Sequence, residues 1–128
     1  MTYPKELLYT KSHEWVRVDG DVATVGLTHY AQDSLGDVVH YEPPSVGAKV
    51  DAGTAIAEIE SVKAVSDVYA PVTGEVVEVN GSIEGSEDAV NKDPYGKGWL
   101  FRIKVSDRGQ LGGLQSSDAY QALLAEQA

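Results

Sequence analysis

The middle of the chain reads as short extended runs cut by turn residues, with apolar and polar positions alternating inside the runs. Val22-Ala23-Thr24-Val25-Gly26-Leu27 is rich in β-branched residues and is expected to form a strand. Thr28 is placed to cap a short helix over 28–35, and Gly36 to end it. Residues 37–41 resume a strand, which Pro43-Pro44 stops because proline cannot donate to a ladder. Gly47 and Gly53 fall at further turns. Residues 55–60 alternate, 65–69 form a second extended run closed by Pro71, and 75–79 form a strand followed by the turn Asn80-Gly81. The last strong strand is expected over 99–105. The tail changes period: Ser116 or Ser117 caps a helix running to about residue 126, with Asp118 in its first turn. Ala119, Tyr120, Leu123 and Leu124 make one apolar stripe there, assigned to core packing, and Gly112-Gly113 before it reads as a loop or hinge.

One internal echo adds topology. Gly36-Asp37-Val38-Val39 is matched by Gly74-Glu75-Val76-Val77, each followed by a serine, an aliphatic residue and a glycine. Two similar β units suggest a flattened sandwich with approximate two-fold symmetry. The segment joining them, residues 60–66, is then expected at the molecular edge.

Composition narrows the function. A chain of 128 residues suits one domain, taken as 1–128, with a hairpin at about 54–70 and a terminal helix at about 117–126. The formal net charge of −10 repels phosphate backbones and argues against nucleic acid. No apolar run approaches the roughly 20 residues a membrane helix needs. There is no cysteine, so disulfides, thiolate metal sites and a protein thiol nucleophile are excluded, and sulfur chemistry would need an attached group. The first residues have neither the basic-then-apolar pattern of a secretory signal nor the arginine-rich, acid-poor character of a transit peptide, which gives a cytoplasmic expectation. His13, His29 and His40 are too scattered for a metal site. No nucleophile-elbow glycines surround a serine, and Gly96-Lys97-Gly98 is not a phosphate loop.

Lys63 stands between two strand-like runs, where a tight hairpin is expected, in a position that turns usually give to asparagine or glycine. Read alone it is a solvated surface lysine or an amine presented for chemistry. Its surroundings change that balance. Glu60-Ser61-Val62-Lys63-Ala64-Val65-Ser66-Asp67-Val68-Tyr69-Ala70-Pro71 resembles, nearly residue for residue, the lipoylation segment of the glycine cleavage H proteins. Ser12-His13-Glu14-Trp15-Val16, Ala31-Gln32-Asp33-Ser34-Leu35-Gly36-Asp37, Gly74-Glu75-Val76-Val77-Glu78-Val79-Asn80 and Asn91-Lys92-Asp93-Pro94-Tyr95-Gly96 resemble the same family, in the same order.

The resemblance implies a mainly β lipoyl/biotinyl-type fold, a flattened barrel-sandwich hybrid with a short N-terminal helix and a C-terminal helix. It implies lipoic acid attached to Lys63 as an amide by a lipoate ligase or lipoyl transferase. It further implies a non-catalytic, monomeric carrier that takes the aminomethyl group of glycine from a pyridoxal-phosphate glycine decarboxylase to a tetrahydrofolate aminomethyltransferase. An FAD dihydrolipoyl dehydrogenase then reoxidises the dithiol. Glu14 and Asp67 match family positions of a cleft for the loaded arm, Ser66 and Tyr69 are expected to assist, and Glu60 is expected to serve recognition by the lipoylating enzyme. Some relatives carry a histidine where this chain has Ser34, so a role for a histidine at that place does not carry over, and His29 lies nearby. The competing readings are a lipoyl carrier or relay for another complex, and an unmodified β-rich binding module. A biotin carrier is disfavoured because Val62 and Ala64, rather than methionines, flank the lysine.

Overall fold

The alternation in the sequence becomes two open β-sheets packed face to face, in a computed structural model that describes residues 2–127. One sheet runs in the order β1 (Leu8–Tyr9), β2 (Glu14–Asp19), β3 (Val22–Leu27), β9 (Phe101–Val105), β8 (Gly74–Val79), β5 (Lys49–Val50). The other runs β4 (Val38–Glu42), β6 (Ala55–Ser61), β7 (Val65–Tyr69). All pairings are antiparallel, and no closed barrel forms among the described residues. The two echoed segments fall one in each sheet, as β4 and β8.

Period two decides what is buried. In β6, Ala57, Ile59 and Ser61 point inward while Glu58 and Glu60 point out. With Val16, Val25, Val68, Val76, Phe101 and Ile103 they build the core between the sheets. Trp15 alternates with Val16 and so lies on the opposite face of β2, in a second cluster with Leu7, Tyr9 and Tyr120. Helix α1 (His29–Leu35) starts where Thr28 Oγ1 accepts the Ala31 N–H at 3.2 Å and ends at Gly36, whose φ of +78° favours glycine. Helix α2 is a single turn (Ala89–Lys92). In α3 (Ser117–Gln127) Ser116 Oγ accepts the Ala119 N–H, so Ser116 is the cap, while Ser117 donates to the Tyr3 carbonyl. Tyr120 is buried and Leu123 and Leu124 pack beside it, but Ala119 is exposed and lies outside the stripe.

The structure differs from the sequence reading in several places. Strand β2 was not anticipated, nor were the two-residue strands β1 and β5. The last ladder begins at Phe101 rather than Trp99, because the Asn80 side chain donates to the carbonyls of Lys97 (2.9 Å) and Trp99 (2.7 Å) in place of a strand neighbour. The turn expected at Asn80-Gly81 is a 3-10 turn, Gly81–Ile83, capped by Asn80. Gly112-Gly113 ends another such turn, Arg108–Gly113. Among the described residues no helix is long and apolar enough to cross a membrane.

Candidate functional site: an exposed lysine and two neighbouring cavities

Strands β6 and β7 pair from Ala55–Tyr69 to Glu60–Val65, which leaves a short turn around Lys63. Ser61 holds that turn. Its N–H donates to the Ala64 carbonyl at 2.8 Å, and its Oγ accepts the N–H groups of Lys63 (3.3 Å) and Ala64 (3.1 Å). The Val62 N–H donates to the Asp37 carbonyl at 3.0 Å, which docks the tip on the turn after α1. Asn91 fastens that turn from below: Oδ1 accepts the Val38 N–H and Nδ2 donates to the Gly36 carbonyl at 2.7 Å. The Lys63 stem crosses Gly36, where an added Cβ would sit 3.4 Å from Lys63 Cε. The amine itself is exposed, and among the described residues no carboxylate is ion-paired with it. The sequence alone assigns Ser61 and Asn91 no role. Their function is visible only once the turn geometry is known.

Glu60 is exposed one residue before Ser61. Val62 and Val65, 69% and 61% exposed, flank the lysine as uncovered apolar groups. Across the small sheet Glu42 faces Glu58 and Glu58 faces Asp67, a row of three exposed carboxylates. Directly opposed like charges cost stability, so this row is not there to hold the sheet together.

The other nominated residues divide between two cavities that share Ser12. A cavity of about 160 Å³ is lined by Ser12, His13, Tyr30, Ser34, Ser66 and Asp67, with Leu27, Ala31 and Leu35 as its apolar wall. A wider groove of about 410 Å³ contains Glu14 and Tyr69. His29 lines neither. Ser34 therefore sits at the cavity with Ser66 and Asp67, while Glu14 stands one wall away.

Glu14 is fully buried, not a solvated charge. Its place at the head of β2, on the same face as Val16, turns its carboxyl toward the free edge of β7. There Oε1 accepts the hydroxyls of Thr10 (2.5 Å) and Ser12 (2.6 Å), and Oε2 accepts the Tyr69 N–H (3.3 Å). One carboxyl thus ties the larger sheet to the lysine hairpin. Burial pushes its pKa above the ordinary value of 4.5, against the opposing pull of its donors. The folded protein then binds this proton more tightly than the unfolded chain, so the contribution of Glu14 to stability falls as pH rises from about 4.5 toward its folded value. Comparing melts of the parent and Glu14→Gln should show it: the parent loses stability relative to the variant between mildly acid and neutral pH. A constant gap across that range would contradict the assignment.

A two-sheet sandwich that holds an exposed lysine out on a stapled hairpin defines the class by its fold and its site. The family model described as Glycine cleavage H-protein matches residues 7–127, and the chain belongs to that family. It is 52% identical over 128 residues to the glycine cleavage system H protein of Thermus thermophilus, covering 100% of both chains. It is 57% identical over 108 residues to that of Rubrobacter xylanophilus, covering 84% of this chain and 86% of the relative. The crystal structure of a glycine cleavage system H protein from Mycobacterium marinum superposes with a TM-score of 0.88 at 36% identity, covering 96% of this chain and 99% of that one.

Proposed function

We propose that this chain is the lipoyl carrier of glycine cleavage, with lipoate joined as an amide to Lys63, and that it catalyses nothing alone. The observation that carries the reading is the Lys63 amine, exposed and without an ion-paired carboxylate among the described residues, on a tip whose shape is set by Ser61 and Asp37. Such an amine can enter the active site of a lipoate ligase or lipoyl transferase without any part of the sandwich unfolding. Glu60, with Val62 and Val65 beside the lysine, gives that enzyme a charged and apolar surface to read. Once bound, the lipoyl group supplies the sulfur redox chemistry that a cysteine-free chain lacks.

The residues of the chain then have separate tasks. Lys63 is the tether, and its amide no longer carries charge. Leu27, Ala31 and Leu35 offer hydrocarbon a dry wall, while Ser12, Ser34, Ser66 and Asp67 offer acceptors to an ammonium group at the arm's end. A single charge pair at about 4 Å is worth roughly 4 kcal/mol before desolvation, at an effective dielectric near 20. Desolvation removes much of this, so the cavity parks a load without trapping it. Glu14 and the Tyr69 N–H act one step back, holding the hairpin against the larger sheet. The carboxylate row beside the tip suits partners with basic docking faces. In this reading those partners are the pyridoxal-phosphate glycine decarboxylase, the tetrahydrofolate aminomethyltransferase and the FAD dihydrolipoyl dehydrogenase. Tethering raises the local concentration of one reactive end at each of them in turn.

Reconstitution tests the reading. The lipoylated chain, mixed with those three enzymes, tetrahydrofolate and NAD, should release carbon dioxide and ammonia from glycine and reduce the NAD, and the bare chain should do neither. Lipoylated protein that leaves all glycine unconsumed would instead favour a carrier for another complex.

A further inference from the structure

Among the described residues His13 is the single non-glycine residue with a positive φ, +73°. A left-handed backbone at a residue with a Cβ costs about 1 kcal/mol or more and persists only where its surroundings hold it. Here the His13 N–H donates to the Thr10 carbonyl at 3.2 Å, and the His13 carbonyl accepts the Thr28 N–H at 3.1 Å. The ring lies 4.8 Å from Tyr30 of α1 and 5.8 Å from Tyr120 of α3, centroid to centroid. Nδ1 is 2.8 Å from the Tyr120 hydroxyl, which is 2.7 Å from Thr28 Oγ1, the cap of α1. The unusual backbone therefore places a half-buried imidazole in the wall of the cavity that Ser34, Ser66 and Asp67 also line.

We infer that His13 selects the charge of what this cavity holds: as a neutral imidazole it admits a cationic arm end, and as an imidazolium it expels one. The inference rests on the carrier function proposed above. The titratable groups facing His13 are Tyr30 from α1 and Tyr120 from α3, and Asp67 from β7 lines the same cavity. On its own strand the neighbouring Glu14 carboxyl is engaged by Thr10, Ser12 and Tyr69. Asp67 attracts a cation, and an imidazolium at His13 offsets that attraction.

The hydrogen bonds allow both states. With a neutral ring, Thr28 can donate to Tyr120 and Tyr120 to Nδ1. With an imidazolium, Nδ1–H donates to Tyr120 and Tyr120 donates to Thr28. The ring thus keeps its anchor on protonation, and what changes is the charge at the cavity wall. Burial lowers the pKa of His13 below the ordinary 6.5, so the admitting state dominates at neutral pH.

Isotope-labelled, lipoylated protein tests this by NMR titration of the His13 ring, before loading and after reduction and loading with formaldehyde and ammonia. Loading should lower the His13 pKa by about one unit, equivalent to about tenfold weaker holding of the load by the protonated protein. The Ser34 and Ser66 amide signals should move in the same samples. His13 titrating identically in both samples would overturn the inference, whether or not those amides move, and would leave the carrier function standing. An unmodified intact mass after exposure to the ligase would overturn the carrier function and this inference together. Asparagine tolerates the left-handed region and does not titrate. His13→Asn should therefore hold the load with a lifetime that changes less between about pH 5 and 8 than in the parent, the remainder belonging to Glu14 one wall away. A pH dependence in that variant equal to the parent's also overturns the inference.

Discussion

Lys63→Arg should remain at its unmodified mass after incubation with lipoate, ATP and a lipoate ligase, while the parent gains one lipoyl group. Arginine keeps the positive charge and much of the length, but its guanidinium stays protonated and offers no amine for acylation. The tip should survive the change. Its turn is held by the Ser61 hydroxyl, the Ser61–Ala64 backbone bond and the Val62–Asp37 contact, none of which uses the lysine side chain. The expected effect is therefore all-or-none on modification and close to zero on stability. Intact mass spectrometry and a thermal melt on one sample read both. Acylation of the variant would move the attachment point to another of the chain's lysines, and with it the whole assignment of the hairpin.

The largest expected loss of stability is at Gly74→Ala. Gly74 opens β8, paired with Val105 of β9 on one side and Val50 of β5 on the other. An added Cβ would lie 2.0 Å from the Lys104 carbonyl oxygen and 2.7 Å from Ile103 Cγ2. The first of these is backbone, which cannot rotate away, so the β8–β9 ladder must shift as a unit. Overpacking of this kind costs about 3 kcal/mol, at the upper end of the usual range. For a domain of this size that lowers the melting temperature by about 10 °C. Gly81→Ala is the natural control, because nothing lies within 4 Å of a Cβ there. A Gly74→Ala melt within a degree or two of the parent would mean that the strands are less tightly registered than the structure has them.

Gly36 and Gly74 head the two echoed segments of the sequence, yet they are glycines for different reasons. Gly36 adopts a positive φ at the end of α1, whereas Gly74 makes room for a neighbouring carbonyl. The repeat points to both positions but distinguishes neither reason, since close approach between strands is not a property of either strand alone.

What the sequence by itself determined is local. The alternation of β6, the Thr28 cap, the Gly36 stop and a lysine between two extended runs all follow from backbone period and turn chemistry within a few residues. Only the tertiary structure decided which nominated side chains meet. Glu14 reaches Tyr69 across 55 positions, and His13 reaches Tyr120 across 107. Both contacts exist because β2 lies beside the free edge of β7 and α3 folds back over β2, arrangements set by how two sheets bury their apolar faces together. That closure separates Glu14 from Asp67, joins Ser34 to Ser66, and turns a histidine with no motif of its own toward the same cavity.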